Sequence, residues 1–528
     1  MPEFILIFGV IAVVLTVTAL ASGLVERSPL SFPLIFLGLG FLLGRHGIGE
    51  LEIGPQSPLI EVVGTLTLAL VLFLDALKLQ VNELGKRWLV PALILGPGTG
   101  LIIAVGALPF GLFLNFGWIL AFIGGAVLAS TDPVVLREIV RDSRIPRSVR
   151  QVLKIEAGMN DLVVLPVVLV LIAVATDQGG SLGGWLVFLI KLLLLGPVIG
   201  FAVGGLGSWV MNWMDEKITI RREHQSLYGV GLVFASYSAA TAAGGDGFLG
   251  AFAAGLAVVM INQSLCDCFM EYGEVTSEMA MLLAFVLFGV VLSGLLGTVD
   301  IVPTLALAAL VVFVIRPAVL GAVLAKARMS WQAHAFVSWF GPRGLNSLLL
   351  ALLVVQAGIP GSELLLATVG VVVMASVAIH GGTAVPVGAW YGRIAAEETL
   401  EEERESTVVG LFGGHQGAVP MLTPDELVGR LTRPSPPLIL DVRTRASYNH
   451  DGTRIPGSIR VLPDAAIEWA MDCLPGQELV TYCSSLDGAT SVRVAQQLRG
   501  LGFITFVLSE GIEAWRKDYP LEFVEVAV

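Results

Sequence analysis

Charge is scarce in this chain. Asp, Glu, Lys and Arg make up 14% of its 528 residues, where a soluble domain carries about a quarter. A chain this poor in charge cannot clothe a globular surface along its whole length. Cysteine is scarcer still, with four in all: Cys266, Cys268, Cys473 and Cys483. That is too few for a disulfide framework at this length, and Cys266-Asp267-Cys268 lacks partners for a zinc site. No GxxxxGK[ST] run occurs, which excludes a P-loop nucleotide site. No basic stripe appears outside the short loops, and nucleic-acid binding is disfavoured. Met1-Pro2-Glu3 has no basic flank, and the apolar run behind it has no clear cleavage site. The start therefore reads as a first transmembrane helix and not as a removed signal peptide.

What the chain has is apolar length. Hydrophobic residues make up 55% of it, mean hydropathy is +0.83, and its 61 glycines suit closely packed or broken membrane helices. Runs of about 20 apolar residues start near 4–24 and continue to a long final run at 362–391, interrupted at Gly381-Gly382. About thirteen spans are expected. Lys78, Lys86 and Arg87, then Arg137 to Arg150, Lys217 to Arg222, and Lys326 with Arg328 all fall in loops on one side. By the positive-inside rule the N-terminus lies outside and the C-terminus in the cytoplasm of a cell-membrane protein.

Two elements put charge inside these apolar runs. Ser130-Thr131-Asp132-Pro133 interrupts the run 117–136, and Glu156-Ala157-Gly158-Met159-Asn160-Asp161 lies in the run 152–174. Proline removes a backbone donor, which frees carbonyls nearby, and unwound backbone at membrane depth belongs where it lines a cavity. Carbonyls beside a carboxylate are hard oxygen ligands for a small cation. The competing readings are a Thr-Asp-Pro helix cap at the membrane surface and an interfacial Glu156 beside Lys154.

Ser130-Thr131-Asp132-Pro133-Val134-Val135, the Glu156…Asn160-Asp161 pattern and Trp339-Phe340-Gly341-Pro342-Arg343-Gly344 together resemble the sodium/proton exchanger branch of the cation–proton antiporters. The resemblance covers roughly residues 1–393. It implies inverted repeats with broken helices, a homodimer, and exchange of Na⁺ or Li⁺ for H⁺ by alternating access. It makes Asp161 the carboxylate that binds either Na⁺ or a proton, with Asn160, Asp132, Thr131 and Asp75 around the cation path. Asp75 is equally readable as a surface residue at the end of its span. Glu156 and Arg343 are implied as an intramembrane ion pair. Asn160 stands where charge-moving relatives carry a second aspartate, which implies electroneutral exchange. Ala157 replaces a serine common in the family and withdraws one possible ligand, so K⁺ remains an alternative substrate.

After Arg393 the composition changes. An acidic segment and linker occupy 394–420, and short apolar strands at 437–442, 478–482 and 504–508 then alternate with helical segments near 464–472 and 489–501. That is the pattern of a small α/β domain. Asp441-Val442-Arg443, Ile455-Pro456-Gly457-Ser458, Tyr482-Cys483-Ser484-Ser485 and Glu510-Gly511-Ile512-Glu513-Ala514-Trp515 resemble a rhodanese domain over about 421–523, within a domain expected at 421–528. The resemblance makes Cys483 a persulfide-forming cysteine that takes sulfur from a donor. Ser484 to Thr490 holds no Arg or Lys and includes Asp487, which offers an anionic donor little attraction. An enzyme, a sulfur or redox sensor and an inert docking module all stay open. Cys473 reads as a buried small hydrophobe in a helix. No cofactor is expected.

The expected architecture is thus an all-α polytopic membrane domain at 1–393 plus a small α/β rhodanese-like domain. A membrane-anchored sulfurtransferase is the competing class, but a tether has no reason to bury Asp132, Glu156, Asp161 and Arg343.

Overall fold

The computed structural model describes residues 9, 12, 16, 20, 32–49, 51–78, 94–132, 134, 136, 139–140, 142, 144–218, 220–325, 329–398, 400–404, 419–473, 476–484 and 489–523. The expected first span 4–24, most of the linker, and Lys86, Arg87, Pro133, Arg137, Lys326, Arg328 and Asp487 lie largely or wholly outside these residues. The chain forms two compact units. One takes in Met1–Leu136, Ile155–Leu320 and Trp339–Thr383; the other takes in Arg137–Lys154, Gly321–Ser338 and Ala384–Val528. The second unit therefore gathers more than the expected C-terminal domain.

Among the described residues, seven helices are long and apolar enough to cross a membrane, and four shorter apolar helices accompany them. Glycine sets how closely they pack. Gly196, Gly200 and Gly204 repeat every fourth residue along the helix Gly196–Ile218 and face Asp246, Gly250 and Ala254, which repeat in the same way. A Cβ at Gly200 would overlap the Gly250 backbone. Small residues at this spacing let backbones approach where no hydrophobic drive exists between helices.

Two helices are broken. Trp118–Ala129 stops at Ser130, whose backbone is extended, and helical residues resume at Val134. The run expected as one span at 333–355 is two helices, Trp331–Trp339 and Leu345–Gln356, joined by non-helical 340–344. Pro342 explains the break, because it lacks an N–H and disfavours helical geometry at Gly341. The opposite correction applies to the last run. Ser362–Glu397 is one continuous helix through Gly381-Gly382, with Pro386 inside it.

The second unit contains the α/β domain. Strands β1 (Met421–Leu422), β2 (Leu438–Asp441), β4 (Ile459–Arg460), β5 (Glu478–Tyr482) and β6 (Ile504–Leu508) form a parallel sheet in the order β1-β6-β5-β2-β4. A separate antiparallel pair joins β3 (Thr453–Arg454) to β7 (Glu522–Phe523). Side chains alternate along central β5. Val480 and Tyr482 enter a core with Leu427, Ile512 and Trp515, whereas Leu479 enters one with Leu440, Val494 and Leu498. Both faces are covered, as a parallel sheet requires. Cys473 sits just past the helix Ala466–Met471 and is half-buried, not within a helix as expected. Burial raises its thiol pKa, with Asp472 adding to the shift.

Candidate functional site

The two breaks are tied together through Asp132. Its backbone N–H donates to the Pro342 carbonyl at 2.9 Å. Its Oδ1 accepts from the Val134 N–H and its Oδ2 from the Leu345 N–H, each at 2.9 Å. One carboxylate thus satisfies N–H groups at the starts of two helical pieces, where the dipole favours negative charge. Gly344 has no room for a side chain, since a Cβ there would overlap Oδ2 of Asp132. Asp132 was expected near the cation path, and both of its oxygens accept from backbone N–H groups at the two breaks.

The stop at Ala129 leaves carbonyls without helical partners. The Arg343 guanidinium donates from Nη1 to the Ala129 and Ser130 carbonyls at 3.0 and 3.1 Å. Asn160 Nδ2 donates to the same Ala129 carbonyl at 2.6 Å, and reaches Thr131 Oγ1 at 3.4 Å. The Thr99 hydroxyl donates to Asn160 Oδ1 at 3.3 Å. Arg343 is itself held through its N–H, which donates to Ser376 Oγ at 2.8 Å.

Glu156 does not pair with Arg343, contrary to the expectation. It pairs with Arg316, Nη2 to Oε2 at 2.6 Å and Nε to Oε1 at 3.2 Å. The physical reason is that the broken helix end claims the Arg343 guanidinium, while a two-point fit to a carboxylate is open to Arg316.

Asp161 sits at the centre, 3% exposed. The Ser130 hydroxyl donates to its Oδ1 at 2.6 Å, and Asn346 Nδ2 donates to its Oδ2. Both donors are neutral, and among the described residues no Lys, Arg or His pairs with this carboxylate. Asp75 is buried, not a surface residue, lies within electrostatic reach of Asp161 and Asp132, and has an Oδ2 with no hydrogen-bond partner. Among the described residues no three His, Cys, Asp or Glu groups converge as a metal cage. The arrangement is one carboxylate among neutral oxygens and amides. It can take a proton or a weakly held monovalent cation.

Asn346 and Thr99 were not singled out from the sequence, and Ser130 was read only as part of the Ser130–Pro133 break, not as a site residue. Asn346 carries a signal, being a polar residue at the head of the apolar run Leu348–Val355. Thr99 carries none.

In the α/β domain, Cys483 follows β5 and is 2% exposed, with its Sγ 3.4 Å from Ser491 Oγ. The Ile512 N–H donates to the Cys483 carbonyl at 2.9 Å. Gly511, at φ +60°, would overlap that carbonyl with any Cβ, so a glycine is required there. The buried Asp441–Arg443 pair stands beside Tyr482, whose hydroxyl donates to Asp441 Oδ2 at 2.8 Å. Burial and Asp441 push the Tyr482 phenol above its ordinary value. Residues 485–488 lie outside the described residues.

Comparison with known proteins finds matches for both parts of the chain. Residues 11–390 match the family "Sodium/hydrogen exchanger, transmembrane", and residues 423–518 match the rhodanese-like domain. The K(+)/H(+) antiporter NhaP of Alkalimonas amylolytica is 25% identical over 391 residues, covering 73% of this chain and 66% of its own length. The K(+)/H(+) antiporter NhaP2 of Shewanella sp. (strain ANA-3) is 27% identical over 382 residues, covering 70% of this chain and 64% of its own length. The match thus spans slightly less than two thirds of these relatives. The sodium proton antiporter MjNhaP1 from Methanocaldococcus jannaschii shares the fold, with a TM-score of 0.58 at 18% identity over 78% of this chain and 100% of that one. The chain therefore belongs to the sodium/hydrogen exchanger family and carries a rhodanese-like domain at its C-terminal end.

Proposed function

We propose that this chain is a secondary transporter that exchanges Na⁺ or Li⁺ for H⁺ at Asp161, without net charge movement. The observation that carries the proposal is the contrast between two buried carboxylates. Glu156 has Arg316 as its counter-charge, and among the described residues Asp161 has only the neutral donors Ser130 and Asn346. A buried charge without a partner is costly, so the missing positive charge at Asp161 is a proton or a transported cation. Asn160 is neutral and its amide is engaged by Ala129 and Thr99, which supports one titrating group per cycle. Ser130 and Asn346 would release the carboxylate as the cation arrives. We place the N-terminus outside and the rhodanese-like domain in the cytoplasm, on the loop charges.

A second reading makes K⁺ the cation. It is favoured by the names of the two antiporter relatives above, while Ala157, which offers no ligand oxygen, leaves the choice of cation open.

The test is cation-driven pH change in proteoliposomes with Na⁺, Li⁺ and K⁺ added in turn, at several imposed voltages. The proposal expects Na⁺ or Li⁺ to rank first and the rate to ignore voltage. K⁺ ranking first selects the second reading. A voltage-dependent rate contradicts one-for-one exchange.

A further inference from the structure

The helix Arg147–Ala175, which carries Glu156, Asn160 and Asp161, starts directly after Pro146. Its first backbone bond runs from the Arg150 N–H to the Pro146 carbonyl at 3.1 Å, which puts Pro146 at the capping position. Proline has no side-chain acceptor to offer, and the Arg147 N–H is among those a helix start leaves unsatisfied. The acceptor comes from far along the chain. Oδ2 of Asp464, in the turn Pro463–Ala465 of the rhodanese-like domain, takes the Arg147 N–H at 2.6 Å.

Asp464 is itself fixed. It is 1% exposed, and Arg445 donates to its Oδ1 and Oδ2 at 3.4 and 3.2 Å. Arg445 also holds Glu403 at 2.7 Å. The neighbouring residue of the helix is fastened separately, as the Ser148 hydroxyl donates to the Glu402 carbonyl at 2.8 Å. The Glu402 carboxylate in turn accepts from the Ser330 N–H, the Ser330 hydroxyl and the Tyr391 hydroxyl at 2.9, 2.7 and 2.5 Å. A carboxylate at a helix start also suits the positive end of its dipole. Buried polar networks hold one arrangement best where their members are satisfied, and here Glu403 Oε2 is left without a hydrogen-bond partner.

We propose that Asp464 is a positioning residue for exchange: the rhodanese-like domain supplies the missing N-terminal cap of the helix that bears Asp161. The soluble domain thereby sets the seating of that helix and the turnover of the site it carries. The inference rests on the exchange reading above. It assigns no part to Cys483, and the cap needs only that the domain be folded and docked.

The experiment uses the full chain in proteoliposomes and reads the maximal rate and the half-saturating Na⁺ concentration separately. Asp464→Ala removes the acceptor and is expected to lower the maximal rate about fivefold or more, the scale of a lost cap. The half-saturating concentration should stay within about twofold, because no ligand of the cation has changed. Asp464→Asn keeps a side-chain oxygen and should restore at least about half the rate, since asparagine caps as well as aspartate. A second pair approaches from the other partner. Arg147→Pro deletes the N–H at a position that tolerates proline, whereas Arg147→Ala keeps it; the first should copy Asp464→Ala and the second should stay near wild type. Combining Arg147→Pro with Asp464→Ala should add no further loss.

Wild-type rates in Asp464→Ala, or equal rates in Arg147→Pro and Arg147→Ala, overturn the inference. A half-saturating concentration that rises with the fall in rate overturns it too, because the effect then lies in cation binding. A folded wild type that moves no protons with any cation overturns the exchange reading instead, and this inference with it.

Discussion

Glu156 and Arg316 form a two-point ion pair, with side chains 7% and 2% exposed, and Glu156 shares its helix with Asp161, which has no cationic partner among the described residues. Each charge compensates the other, so neither competes for the transported ion. Removing one partner leaves the other buried and unpaired, at a cost of about 3–5 kcal/mol. Arg316→Leu and Glu156→Leu should each lower the unfolding temperature of the purified protein in detergent sharply. The double variant should lose less than either single one. Additive losses would show that the two groups do not act as a pair.

Gly344 marks where the second broken helix passes the Asp132 carboxylate. Gly344→Ala should disrupt the bonds from Asp132 to Val134 and Leu345, because the added methyl and Oδ2 cannot share the space. Lost hydrogen bonds to a charged group are worth about 1.5–3 kcal/mol each. Exchange should fall at least tenfold while the protein still inserts. Alanine at 429, where the glycine meets open space, is the control and should be silent.

Glu403 introduces a pH dependence outside the membrane. Burial pushes its carboxyl up to about 7, against the pull of Arg445 and with Asp464 adding to the rise. At Arg445 burial lowers the pKa, but Asp464 and Glu403 outweigh it. The folded value of Glu403 exceeds its ordinary 4.5, so its contribution is complete below pH 4.5 and is lost as pH rises through about 7. Unfolding temperature of the second unit should fall across that window. Glu403→Gln should flatten the fall, and an unchanged slope in that variant would contradict the assignment.

Cys483 can be separated from transport. It lies in the α/β domain and the exchange reading gives it no part, so Cys483→Ser should leave exchange within about twofold, as for a substitution remote from a site. Any sulfur transfer from thiosulfate by the wild type should vanish in the variant. Loss of exchange would make the cysteine a regulator of transport.

Much of the site was legible because its motifs are short. Ser130 to Asp132 and Glu156 to Asp161 are contiguous polar breaks in apolar runs, and the cost of burying such groups marks them whatever surrounds them. Partner choice was not legible. Arg316 and Arg343 are both arginines in apolar surroundings, and only tertiary packing decides which meets Glu156 and which meets the freed carbonyls. The second break was written in Gly341-Pro342-Arg343-Gly344, although composition over a 20-residue window hid it. Gly381-Gly382 misled in the other direction, since glycine weakens a helix without ending one that neighbours hold. The Asp464 cap joins residues far apart in sequence, and no local pattern announces it.

The most direct test of the central claim is the proton flux driven by Na⁺, Li⁺ or K⁺ in proteoliposomes of wild type and Asp161→Asn. Asparagine keeps the shape at that position and cannot take up or release a proton. Exchange present in the wild type and absent in the variant, with the variant shown to be folded, is the predicted result. Equal flux in both would contradict the assignment of Asp161 as the carrier carboxylate.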